Sequence, residues 1–168
     1  MDLSTRYLGP TGIDPIMGRI ANWLPRLGIG IAGSRLLAVR GRKSGEWRTT
    51  MVNLMVREDG ARFLVAPRGH TQWVRNLRVA GDGELRLGRK VEAFTADEIP
   101  DADKVALLRL YLRKWGWEVG RFFEGVSAHS TDEELAAIAP GFPVFRIYDR
   151  NIDRAEIIGG KGAILESH

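Results

Sequence analysis

The sequence predicts one domain of the α+β class, mainly antiparallel, built as a small β-barrel with an N-terminal helix and further helices at its periphery. Three observations carry this. With 168 residues, 44% of them hydrophobic, the chain can fill one core and is short for two. About six apolar or alternating runs follow one another, mostly across short glycine turns, as consecutive hairpins do. Helical patterns interrupt these runs without alternating regularly with them, which disfavours a parallel sheet.

Taken in order, residues 1–13 are turn-rich and expected to form a flexible N-terminus, residues 14–150 the single domain, and residues 151–168 a tail without usable periodicity. Asp14 as N-cap and Pro15 at the first helical position precede Ile16, Ile20, Trp23 and Leu24, spaced i, i+4, i+7 and i+8. This amphipathic helix, ending near Pro25, either covers an open barrel end or makes a peripheral membrane contact through residues 14–25. In the second case Trp23 lies at the interface and Arg19 and Arg26 face the headgroups. Gly28-Ile29-Gly30-Ile31-Ala32-Gly33 matches G-x-G-x-x-G, but no strand precedes it and no helix follows, so it reads as a connector and not as a dinucleotide loop.

Leu36–Val39 and Thr49–Val56 are β-runs, the second apolar on both faces as when one side meets a barrel interior and the other a helix. Arg57-Glu58-Asp59-Gly60 is a hairpin turn and Ala61–Ala66 the return strand. A loop with Arg68, Gly69 and His70 leads to a short helix from Gln72 to Ala80, stopped by Gly81. Gly83–Leu87 and Lys90–Phe94 form a hairpin about Gly88-Arg89. Pro100-Asp101 opens a longer helix whose apolar stripe is Val105, Leu108, Leu112 and Trp115, with Gly116 loosening its end. Thr131 and Glu134 make a capping box for a last helix before Pro140, and Pro143–Tyr148 closes the sheet.

Function points first to Arg40-Gly41-Arg42-Lys43-Ser44-Gly45-Glu46-Trp47-Arg48, between two strands. Gly41 and Gly45 can take φ > 0 and bring backbone N–H groups to an oxyanion; Ser44 adds a hydroxyl, and Arg42, Lys43 and Arg48 add charge. The blander reading is a solvated basic hairpin protecting an edge strand. A net charge of +4 and a pI near 9.8 also favour an acidic partner.

Other chemistries lack residues. The chain has no cysteine, which removes thiol chemistry and fits a reducing cytoplasm. No secretory signal or spanning apolar run is recognised, so a cytoplasmic, or membrane-peripheral, location is expected. The histidines are His70, His129 and His168, with no H-E-x-x-H, no G-x-S-x-G and no G-x-x-x-x-G-K-[ST], and no metal is expected. Without a reactive group of its own, the chain is expected to orient a borrowed cofactor. His70 reads as an ordinary loop histidine, Trp73 as core or a pocket wall. Trp115, Trp117, Phe122 and Phe123 read as core, or as the lining of a hydrophobic acceptor site.

Gly41-Arg42-Lys43-Ser44-Gly45 with Arg48, the Asp59-Gly60 turn, the Val65-Ala66 strand end, and Trp73 followed by Asn76-Leu77 together resemble the deazaflavin-dependent nitroreductase family. These are split-barrel oxidoreductases that use coenzyme F420, and the resemblance runs over residues 14–100. It implies a split β-barrel of the FMN-binding kind and hydride transfer from reduced deazaflavin to a small hydrophobic acceptor such as a quinone, nitroaromatic or enone. It also implies that Arg42, Lys43, Ser44, Gly45 and Arg48 grip the anionic tail of F420, that Ala66, Pro67 and Arg68 run along the ring, and that Trp73 and Asn76 close the pocket. Asn53 joins this cofactor set where relatives commonly carry an aromatic. Where some relatives present tyrosines from the late helical segment, this chain offers Tyr111 with Trp115, Trp117, Phe122 and Phe123. No catalytic residue is named. The alternatives left open are FMN on the same turn, a carrier of F420 or fatty acid without turnover, and a charge-driven membrane or nucleic-acid binder, the last set aside in favour of a small-molecule acceptor. A homodimer is a family expectation.

Overall fold

A computed structural model describes residues 3–7 and 33–150. The strands are β1 (Ser34–Arg40), β2 (Trp47–Val56), β3 (Arg62–Val65), β4 (Asp82–Leu87), β5 (Lys90–Glu98) and β6 (Val144–Asp149). The helices are α1 (Gln72–Ala80), α2 (Val105–Val119) and α3 (Asp132–Ile138). All strand pairs are antiparallel, and the order β1-β2-β3-β6-β5-β4 closes on itself where Leu37 of β1 faces Leu85 of β4. The expected antiparallel barrel is therefore present. The expected helix over residues 14–25, the connector at residues 28–32 and the tail at 151–168 lie outside the described residues.

Strand alternation sorts the apolar side chains into two cores. Leu37, Leu54, Leu64, Leu85, Phe94 and Phe145 meet inside the barrel, one from each strand, and Val74 and Leu77 of α1 pack with them. Met55, Phe63 and Val144 point the other way and join Leu108, Trp115 and Leu135 of α2 and α3. The two apolar faces of β2 thus have separate destinations, the barrel interior and the helical layer.

Local signals act where expected. Gly81 caps α1 at φ 70°, Gly60 turns at φ 81°, and Thr131 with Glu134 forms the complete capping box of α3. One expectation needs correction. Gly116 does not loosen its helix: α2 continues to Val119, because its buried side chains through Val119 hold the last turn on the core. Within residues 3–7 the Arg6 side chain is buried and donates to the carbonyls of Pro67, Phe122 and Gly141. Among the described residues no helix is long and apolar enough to cross a membrane.

Gly83 sits at the closure. A Cβ there would lie 2.8 Å from the Ala38 carbonyl oxygen and 2.9 Å from the Phe94 ring, neither of which can yield without parting β4 from its neighbours. Gly83→Ala is expected to cost about 1–3 kcal/mol, read as a lower urea midpoint at constant slope. An unchanged midpoint would mean the closure tolerates the methyl.

Candidate functional site

The basic turn joins β1 to β2 and is held from inside. The Gly41 N–H donates to Glu46 O and the Gly45 N–H to Gly41 O, both at 2.8 Å. Gly45 has φ 71°, whereas Gly41 stays at negative φ, where a Cβ would come 2.9 Å from the rotatable Ser44 Oγ. These two N–H groups are consumed in the turn. An anion would thus meet the Ser44 hydroxyl, whose oxygen already accepts from Glu46 N–H and whose proton is left to donate, and the cationic side chains.

Helix α1 braces this turn. Asn76, only 4% exposed, accepts with one oxygen both the Arg42 backbone N–H at 3.2 Å and its Nη1 at 2.9 Å. Gln72 Oε1 accepts the same Nη1 at 2.9 Å. Asn76 thereby acts on the pocket through Arg42. Arg48 is exposed and only loosely paired with Glu46, 3.3 Å away, so it contributes charge with little fixed geometry. The edge-protection reading loses its premise, since β1 pairs with β2 on one side and β4 on the other.

A cleft of about 950 Å³ opens beside the turn. Arg42, Lys43, Ser44, Arg48, Asn53, Ala66, Pro67, Arg68, Trp73 and Asn76 all line it; Gly45 shapes the turn without reaching the cleft wall. The Trp73 ring lies 5.9 Å from Phe145 at a tilt, so it belongs to the barrel core and the cleft alike. Burial deprives Thr71 Oγ1, another lining residue, of any hydrogen-bond partner among the described residues, which is costly unless a ligand or water supplies one.

At the far wall, Asn53 Oδ1 accepts from Ser34 Oγ at 3.2 Å and its Nδ2 faces Glu118 at 3.5 Å. Asn53 also bonds the phenol of Tyr111, which burial pushes well above its ordinary pKa, so that it stays protonated; the Asn53 bond opposes this shift more weakly. Tyr111, which the late helical segment offers by resemblance, lines the cleft; Glu118 was missed, because a charged residue near a helix end reads as a solvated one. Of the aromatics offered as an acceptor wall, Phe122 lines the cleft, Trp115 and Phe123 are core, and Trp117 is 79% exposed. His70 is structural: Nε2 lies 3.1 Å from the Pro140 carbonyl and Nδ1 3.0 Å from Arg78, so both ring nitrogens are engaged.

Cations and a hydroxyl from the basic turn share this cleft with Val65, Ala66, Pro67, Trp73 and Phe122, a combination that suits a ligand with an anionic part and a flat ring. Residues 21–120, more than half of the chain, match the family of F420H2-dependent quinone reductases. The chain belongs to that family. The members of this family are described as F420H2-dependent quinone reductases, which favours F420 over FMN and an enzyme over a carrier.

Among solved structures, a protein of unknown function from Agrobacterium tumefaciens shares the fold at TM-score 0.52 and 18% identity, over 90% of this chain and 64% of that one. This chain therefore spans less than two thirds of that neighbour's length. An F420-H2 dependent reductase, FDR-A, aligns at TM-score 0.48 and 20% identity over 69% of this chain and 94% of its own. An FMN-binding protein related to pyridoxamine 5'-phosphate oxidase, from Nostoc punctiforme, aligns at 0.45 and 14% over 83% of each. No curated protein matches in sequence.

The raised Tyr111 pKa has a stability consequence. Above about pH 10 the unfolded chain releases a phenolic proton that the folded chain keeps, so stability falls as pH rises through that window. Tyr111→Phe should flatten this fall in urea titrations at about pH 9 and about pH 11. Parallel losses in both proteins would show that the phenol ionises freely in the fold.

Proposed function

We propose that the cleft seats reduced F420 with its anionic tail on the basic turn and its ring along residues 66–68, and that a small hydrophobic acceptor, foremost a quinone, takes the hydride. The observation that supports this best is the joining, in one cleft of about 950 Å³, of a cation braced by the buried Asn76 amide to apolar side chains that include Trp73 and Phe122. When bound, the coenzyme supplies the hydride. The protein's share is binding, orientation and exclusion of water.

Arg42 carries most of the fixed positive charge, because Asn76 and Gln72 hold one edge of its guanidinium and orient the remainder. Lys43, Ser44 and Arg48 add donors that can follow a flexible phosphate and carboxylate tail. Ala66, Pro67 and Arg68 offer a narrow strip of loop backbone to the ring, with Trp73 as its side wall. Asn53 stands at the opposite wall, where its amide is already shared among Ser34, Tyr111 and Glu118, and serves to hold that wall as much as to touch the coenzyme. Quinones, nitroaromatics and enones all offer a planar electrophile to such a slot; the family description favours the quinone.

Fluorescence titration with F420 tests this, with FMN as control. Arg42→Ala/Lys43→Ala should weaken F420 binding at least tenfold, given roughly 1.5–3 kcal/mol for each charge-assisted bond removed. Asn76→Leu should weaken it several-fold while leaving Lys43 in place. Equal binding by wild type and the double variant, or none by wild type, would return the turn to a solvated hairpin.

A further inference from the structure

Residues 3–7 lie as a short strap beside the cleft, and Arg6 clips them there. Its Nη1 donates to the carbonyls of Pro67 at 3.1 Å and Gly141 at 3.2 Å, its Nη2 donates to the carbonyl of Phe122, and its guanidinium carbon lies 4.2 Å above the Phe142 ring. The backbone is held too. The Arg6 carbonyl accepts the His70 N–H at 2.7 Å, and Tyr7 makes an antiparallel bridge to Gly69. Two glycines admit this strap: a Cβ at Gly69 would lie 2.1 Å from the Arg6 carbonyl oxygen, and one at Gly141 would lie 3.0 Å from Arg6 Cδ.

A planar guanidinium with five donors is unusually suited to gather three carbonyls, and at 8% exposure it does so with little competition from water. Two of the carbonyls belong to cleft residues, Pro67 of the ring strip and Phe122. The next residue, Tyr7, lines the same cleft with its side chain 46% exposed. A large aromatic left half in solvent on a strap so firmly fixed is the kind of surface a flat ligand covers.

We propose that Tyr7 is an acceptor-binding residue and that Arg6 is the positioning residue that holds it, together with the Pro67 and Phe122 walls, at the width of the bound rings. This rests on the reading of the cleft as the F420 and acceptor site. The strap meets the cleft at Pro67–Gly69, beside the strip proposed for the coenzyme ring and away from the basic turn that α1 braces. The coenzyme keeps its tail anchorage on that turn whether or not the Tyr7 ring is present, so loss of the ring should be felt by the acceptor more than by the coenzyme.

The test uses the full chain, with menadione as the quinone probe. Tyr7→Ala should raise the menadione KM at least fivefold while the F420 Kd stays within twofold, and Tyr7→Phe, which keeps the ring, should restore the wild-type KM. Arg6→Met should raise the same KM and also speed hydrogen exchange of the amides in residues 66–71, a readout that needs no turnover. A menadione KM within twofold of wild type in Tyr7→Ala overturns the role of Tyr7, and unchanged exchange in Arg6→Met overturns that of Arg6. If wild type fails to bind F420, the coenzyme reading itself has failed. Equilibrium dialysis of menadione then decides: equal retention by wild type and Tyr7→Ala overturns the proposal, weaker retention by the variant sustains it.

Discussion

Closure of the sheet between β1 and β4 is the constraint from which the rest follows. Once Leu37 faces Leu85 across that seam, every strand has two partners and no edge is left to protect. The interior then becomes a closed apolar volume fed by each strand, and the outward faces of β2, β3 and β6 must find cover elsewhere, which α2 and α3 provide. Gly83 makes the seam possible by leaving room for the Ala38 carbonyl and the Phe94 ring. A chain so closed can place functional groups only at its turns and in the gaps between barrel and helices, and there the cleft is found.

Within the cleft, the cations differ in value although they are alike in sequence. Arg42 is held by a nearly buried amide, so little further entropy is lost when it meets an anion. Arg48, exposed and beside Glu46, is screened by water and contributes mainly to long-range attraction. Arg40 is engaged differently again, donating to the Gly45 carbonyl at 3.1 Å and stacking 4.1 Å over Trp47. One nine-residue stretch therefore contains a braced cation, an exposed one and a structural one, and only the surrounding fold separates them.

Arginine recurs in this structural role. Arg6 gathers three carbonyls, Arg109 reaches the carbonyls of Ala128 and Ser130 at 2.7 Å each and pairs with Asp132, and Arg78 joins Glu98 to His70. Loops that carry no regular hydrogen bonding need such donors for their carbonyls. Part of the basic balance of the chain is thus spent on loop carbonyls, which weakens any inference from net charge to a large acidic partner.

The barrel was legible because strands announce themselves locally: apolar alternation, the Gly60 and Gly81 stops, and the Thr131-Glu134 cap all act within a few residues. The basic turn was legible for the same reason, as a run of charge and glycine between two strands. Glu118 in the cleft, the Asn76 brace on Arg42 and the Arg6 clip were not, since each joins residues far apart in the chain and nothing in local periodicity says which of them meet. By itself, then, the sequence determined the element order, the turns and the chemistry available at residues 40–48. Only the tertiary structure decided which of those cations are fixed, what faces them and what holds the terminus in place, because burial and long-range hydrogen bonds exist only once the barrel has closed.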